Sequence, residues 1–202
     1  TKQGRLKDEH GVLVSSESRA DTMAAFLEKI QWRVRLASAV DEPAMGPVLP
    51  VNLESFSTDE VIKVIRKLSS GKACGPDGIP AEYLKALLSN DFLVQYMTDF
   101  LSECWQRQEV PSEWHLAAVV AIHKKGQIDL CENYRPISLL NIWYKLFAAL
   151  VHKRLVDAGA EDRLSSTQFG FRSGRSTTDA IFVLRRQIDI AWAQRGGTSL
   201  FM

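Results

Sequence analysis

Two short stretches hold side chains whose types and spacing suit phosphate chemistry. The first is His123-Lys124-Lys125-Gly126, followed shortly by Tyr134-Arg135-Pro136-Ile137-Ser138. Lysine offers a phosphate a point charge and arginine a planar fork of donors. The second is QFGFRSGRS, residues 168–176, which interleaves Gln168, Gly170, Phe171, Arg172, Gly174 and Arg175 and then opens a helix at Ser176. Glycines let backbone approach a ligand, a helix N-terminus favours anions, and phenylalanine can stack on a base. Each stretch also has a plainer reading. An arginine beside a proline belongs in many turns, and core packing is the commoner fate of Phe169 and Phe171. From these residues alone both readings stay open.

Other chemistries find less support. SGKACGPDG, residues 70–78, has no GxxxxG before its lysine and no Ser or Thr beside it, so it is not a Walker phosphate loop. Asp8-Glu9, Asp41-Glu42, Asp59-Glu60 and Glu161-Asp162 are paired by adjacency only. Each falls in a cap, loop or helix end, where acids serve local needs. His115 and His123 flank a short apolar run with no motif around them. No catalytic residue and no metal-ligand set is therefore assigned. Cys74, Cys104 and Cys131 form no CxxC pair and read as reduced, partly buried thiols of an intracellular protein.

The 202 residues are 46% hydrophobic and 24% charged, enough apolar character to bury a core. No apolar run approaches membrane-spanning length, so no membrane contact is expected. TKQGRLKDEH lacks both a signal-peptide core and an initiator Met, which predicts a piece of a longer or processed protein. The net charge of +1 is uneven. Residues 135–186 hold nine basic and four acidic groups, a polyanion footprint or a solvated surface.

The elements that must position these residues read as follows. Residues 1–53 form a lead-in with one helix near 20–39 and a Pro-rich linker over 41–50. Ser57 and Glu60 make a capping box, with Phe56 and Val61 spaced as its staple, and Gly71 is expected to stop that helix. Gly75-Pro76-Asp77-Gly78 is turn chemistry, and Pro80 suits the first turn of the next helix. Leu93, Tyr96, Met97, Phe100, Leu101 and Cys104 form a helical stripe. LAAVVAI, 116–122, reads as a buried strand, and YRPISL as a second extended segment, together a hairpin with a basic loop. A helix over 142–157 stops at Gly159. Ser176 and Asp179 cap a last helix, with Ile181, Leu184, Ile188, Ala191 and Trp192 as its buried face, before a strand begins at TSLFM.

In order, LSSGKACGPDGIPAEYLK, VPSEWHLAAVVAIHKKG, ENYRPISLLNIWYKLFAALVHKRL and STQFGFRSGRSTTDAI resemble the N-terminal half of a reverse transcriptase of the non-LTR retrotransposon type. Cys74 stands where that family often has proline. The resemblance implies an α+β fold, mainly helical with a small antiparallel β-hairpin. It would be the fingers part of a right-hand polymerase over residues 54–202, with the palm incomplete. It implies Lys124, Lys125 and Arg135 at the triphosphate of an incoming deoxynucleotide. It places Gln168, Gly170, Phe171, Arg172, Gly174 and Arg175 on the nucleic-acid path. Partners would be an RNA template, a DNA primer and the missing palm and thumb. The family's two catalytic aspartates lie beyond Met202, so this chain is expected to need no cofactor alone, and the full-length enzyme magnesium. Two rivals remain at this point: a repurposed nucleic-acid-binding module, and a helical protein-interaction scaffold.

Overall fold

A computed structural model describes residues 5–33 and 48–193. It is mostly helical, with one two-stranded antiparallel sheet. Its helices are α1 (Arg19–Phe26), α2 (Thr58–Lys67), α3 (Ala81–Leu87), α4 (Asp91–Arg107), α5 (Ile142–Asp157) and α6 (Thr177–Ala193). The strands are β1 (Ala117–His123) and β2 (Tyr134–Leu140). The described residues fall into two compact units, one holding 5–33 and 53–151, the other 48–52 and 152–193.

The first unit is built on α2 to α5. Its core holds Phe56, Val61, Ile65, Leu84, Val94, Met97, Leu101, Trp114, Leu146 and Leu150. The capping box forms as expected: the Glu60 N–H donates to Ser57 Oγ, and Glu60 accepts from the Ser57 N–H. Phe56 and Val61, the staple pair, are both buried. Aromatic rings extend this core, with Phe100 edge-on to Trp114 and Trp143 at 6.0 and 5.6 Å.

Several local expectations need correction. α2 ends at Lys67, and Gly71 takes its positive φ of 68° in the following turn rather than at the cap. Pro80 is the N-cap of α3, one position before the first turn. On α4 the buried stripe is Val94, Met97, Thr98, Leu101, Ser102 and Cys104, while Tyr96 is exposed. The lead-in helix expected near 20–39 does form, as α1 continued by a π-helical turn over Leu27–Gln31, and residues 34–39 of that expectation lie outside the described residues. Most of the predicted linker and the whole TSLFM segment lie outside the described residues.

β1 is the clearest correction, for it is an exposed strand, not a buried one. An unbroken apolar run normally signals a strand covered on both faces. Among the described residues only β2 pairs with β1, and a two-stranded sheet cannot cover its own faces.

The hairpin is tied at its base instead. Asp77 accepts from the Ile142 N–H at the start of α5 and from its own neighbour Ile79 N–H, both at 3.2 Å. Asn141 accepts from the Asp77 N–H and donates to the Glu113 carbonyl at 2.9 Å. Gly75 sits so close that a Cβ there would meet Asn141 N at 2.6 Å. The Gly75–Gly78 turn thus clamps the junction of β2 and α5.

In the second unit, α5 ends before Gly159, whose φ is 84°. Buried Arg154 donates to the Asn52 carbonyl at 3.0 Å. The Ser176–Asp179 capping box forms, but α6 buries no residue. Its expected buried face fails: Ile181 and Trp192 are 65% and 82% exposed. The apolar periodicity is present, and nothing among the described residues covers it.

Candidate nucleic-acid interface

The register of the hairpin decides what Arg135 neighbours. Arg135 pairs with Ile122, and His123 pairs with Tyr134. One step on, the Lys124 N–H donates to the Asn133 carbonyl at 2.8 Å. Alternation along each strand then places Lys124, Ile122 and Arg135 on one face with Val120 and Ile137, Lys124 diagonal to Arg135. Arg135, Lys124 and Lys125 are exposed, and none makes an ion pair among the described residues. Val120 and Ile122, 45% and 53% exposed, lie bare beside them. The opposite face differs, because there Ala121 and Tyr134 are packed against Leu6, Met23, Leu27 and Cys131.

Lys125 and Gly126 turn the chain. Gly126 has φ 83°, and a Cβ there would lie 2.8 Å from Asn133 Nδ2. Asn133 Nδ2 donates to the Gln127 carbonyl at 2.8 Å, and the Tyr134 hydroxyl to the Ile128 carbonyl at 2.7 Å. The loop is therefore closed by its own side chains, like a compact surface loop.

The second block lies in the other unit and is described by itself. Gln168 Nε2 donates to the Gly170 carbonyl at 3.0 Å. Arg172 Nη1 donates to the Ser165 carbonyl at 3.2 Å, and the Arg175 guanidinium stands 5.8 Å from the Phe169 ring centroid. Phe169 is half-buried, whereas Phe171 is fully exposed with φ 58°. A bulky residue at positive φ is uncommon and strained. Gly174 has φ 67°, which only glycine adopts readily. Gly170 has no such need: a Cβ there would meet only Gln168 Nε2, at an ordinary 3.8 Å.

Among the described residues no group of three or more His, Cys, Asp or Glu could hold a metal ion. The lysines, arginines and glycines of the two blocks are not magnesium ligands. Nor is any described helix long and apolar enough to cross a membrane.

Comparison with known proteins decides the family. Residues 122–201 match the family model of reverse transcriptase, an RNA-dependent DNA polymerase. That span begins inside β1 and takes in both cationic blocks. The chain belongs to the reverse transcriptase family. Its relatives bear out the non-LTR retrotransposon type. A probable RNA-directed DNA polymerase from transposon BS of Drosophila melanogaster is 35% identical over 70% of this chain. One from the X-element of the same organism is 30% identical over 95% of it, which includes much of the lead-in. A Pol polyprotein from the type-1 retrotransposable element R1 of Bradysia coprophila is 31% identical over 76%. The chain spans only 15%, 22% and 15% of these relatives' lengths.

Sequence reasoning missed what holds this hairpin in place. Asp77 and Tyr134 sit in recognisable local stretches, but nothing near them marks their partners, Asn141 and Ile142 at the base and Arg19 at the tip, and Lys7 carries no motif at all. Their partners are 64 to 124 residues away in the chain, beyond the reach of periodicity.

Proposed function

We propose that residues 54–202 are the fingers region of a retroelement RNA-directed DNA polymerase, with residues 1–53 as its lead-in. Lys124, Lys125 and Arg135 take the triphosphate of the incoming deoxynucleotide. Gln168, Gly170, Phe171, Arg172, Gly174 and Arg175 contact RNA template and DNA primer. The palm and thumb would complete the enzyme and supply its magnesium-binding aspartates.

The observation that carries this reading is the open cationic face of the hairpin, where Arg135 and Lys124 sit without a carboxylate partner among the described residues. A surface cation without a carboxylate partner has no ion pair to break before it takes an incoming anion. A leaving pyrophosphate gathers negative charge, and fixed cations stabilise it. Pro136 stiffens the chain beside Arg135, which lowers the ordering cost of ligand binding. Exposed Phe171 offers a face for a base, and Arg172 and Arg175 offer phosphate donors beside it.

The test uses a polymerase in which this chain runs on through the palm aspartates. Arg135→Ala is expected to reduce nucleotide incorporation far more than RNA binding. Arg172→Ala and Arg175→Ala are expected to weaken RNA binding and each lower its salt slope by about one. Equal loss of RNA binding in all three variants would remove the nucleotide role from Arg135.

A further inference from the structure

The face of the hairpin opposite Arg135 is covered by the lead-in, and the contacts there concentrate on Tyr134. Its ring is buried with Leu6, Met23, Leu27 and Cys131, with Val14, Phe26 and Ala121 packed around them. The Arg19 guanidinium stands 5.3 Å from the ring centroid, and the His123 ring meets it edge-on at 5.3 Å. The lead-in also grips the loop. The Lys7 N–H donates to the Asp129 carbonyl at 2.7 Å, and Lys7 Nζ lies 2.8 Å from Asp129 Oδ2. The Cys131 thiol faces the Lys7 carbonyl at 3.9 Å.

We propose that the lead-in is a brace for the nucleotide-binding hairpin, with Arg19 and Lys7 as its grips and Tyr134 as the positioning residue that holds Arg135. This inference rests on the nucleotide role of Arg135 proposed above. A two-stranded hairpin is marginally stable by itself, and this one projects its cations from the tip. Neighbouring residues in a strand point to opposite faces, so fixing the Tyr134 ring on one side fixes where Arg135 leaves the other. The brace occupies only the closed face and leaves the cationic face open. Preorganised cations bind a triphosphate without first being ordered, which is the advantage a brace confers. Tyr134 and Arg19 are positioning residues; neither is argued to touch the nucleotide.

Cys131 is a built-in reporter, because it is buried in the cluster with Leu6, Met23 and Leu27 of the lead-in, whereas Cys104 lies in the helical core. In the 202-residue chain, a thiol reagent with mass-spectrometric assignment would follow both. Arg19→Ala is expected to speed Cys131 labelling about five-fold and leave Cys104 unchanged, and Arg19→Lys, which keeps a cation over the ring, to restore slow labelling. Lys7→Met is expected to give a smaller rise of about two-fold and serves if Arg19→Ala exposes Cys104 as well. Unchanged Cys131 labelling in both variants would overturn the brace. In the polymerase extended through the palm aspartates, Arg19→Ala is expected to raise the KM for deoxynucleotide about five-fold, with kcat and RNA binding near parent values. Faster Cys131 labelling with no change in KM would reduce the lead-in to a structural element and overturn the positioning claim. Should Arg135→Ala also leave incorporation unchanged, the failure is that of the nucleotide role itself, and the positioning claim falls with it.

Discussion

α2 and α6 begin with the same device and end in opposite states. In each, a serine hydroxyl accepts from the third backbone N–H while an acid at that position accepts from the serine N–H. The reciprocal bonds are nearly matched, 3.2 and 2.9 Å in α2 against 3.3 and 2.7 Å in α6. Both helices carry apolar residues at helical spacing. α2 buries Val61, Val64 and Ile65, and α6 buries nothing. Capping and periodicity form a helix; a facing element is what gives its stripe a core. On α6 Phe182, Val183, Leu184 and Ile190 are exposed as well, so its apolar surface lies bare among the described residues.

The largest expected effect tests that difference in burial. Leu101 on α4 is fully buried in the core that α2 joins. Leu101→Ala is expected to destabilise the chain by about 3–4 kcal/mol through lost burial and the cavity left behind. Ile181→Ala on α6 is expected to stay within about 0.5 kcal/mol of neutral. Denaturant unfolding of the two variants under one buffer gives both numbers. Similar losses would mean that α6 packs against something as firmly as α2 does.

Next in size is the clamp at the hairpin base. Asp77→Ala removes two accepted hydrogen bonds, including the one to the first N–H of α5, and is expected to cost about 2 kcal/mol. Gly75→Ala forces a methyl against the Leu140–Asn141 backbone and should cost about 1–3 kcal/mol. Amide exchange in β2 is expected to rise in both variants. Protection of β2 equal to the parent would show that the hairpin does not depend on this turn.

Much of this architecture is legible in the residues alone, for reasons that can be named. The α5 boundaries follow from the periodicity and from Gly159, and both capping boxes from four-residue patterns. The hairpin follows from two apolar runs around a polar loop. Local chemistry sets each of these. Burial is different, since it depends on partners remote in sequence. LAAVVAI reads as buried because apolar runs usually have covers on both faces, and among the described residues the hairpin has a cover only near Tyr134. The face of α6 failed for the same reason. Of the site, the cations and their shared loop were readable, but their support was not. Tyr134 reads as an ordinary strand residue until Arg19 and Leu6 are seen against it.

A smaller effect separates the two caps. Ser57→Ala is expected to lower global stability by about 1 kcal/mol, because α2 is welded to the core. Ser176→Ala removes the same bond from α6, and the loss should appear as fraying of its first turn only. Denaturation midpoints should shift for Ser57→Ala alone, while exchange of the Asp179 and Ala180 amides should rise for Ser176→Ala. A shifted midpoint for Ser176→Ala would mean that α6 unfolds together with the core.

The smallest effect is one of pH, and it isolates the α6 cap from everything else. Hydrogen bonds from the Ser176 side chain and backbone hold the Asp179 carboxyl below the usual aspartate value of 3.8, with a lesser contribution from Arg175. A depressed folded pKa means that the carboxylate contributes fully above the unfolded value and loses its contribution as pH falls through the lower one. The first turn of α6 should therefore be intact at neutral pH and loosen only in acid below the ordinary aspartate range. Because the carboxyl is exposed, the effect is local and weakened by salt. Its carboxyl carbon resonance, followed by pH titration, should give a midpoint below 3.8, and exchange at the Ser176 amide should rise across that same transition. Asp179→Asn keeps an acceptor but cannot titrate, so it should abolish the transition while leaving the turn formed. An Asp179 midpoint at or above the ordinary value would show that the cap is not closed in solution, and with it would go the matched start that makes α2 and α6 comparable.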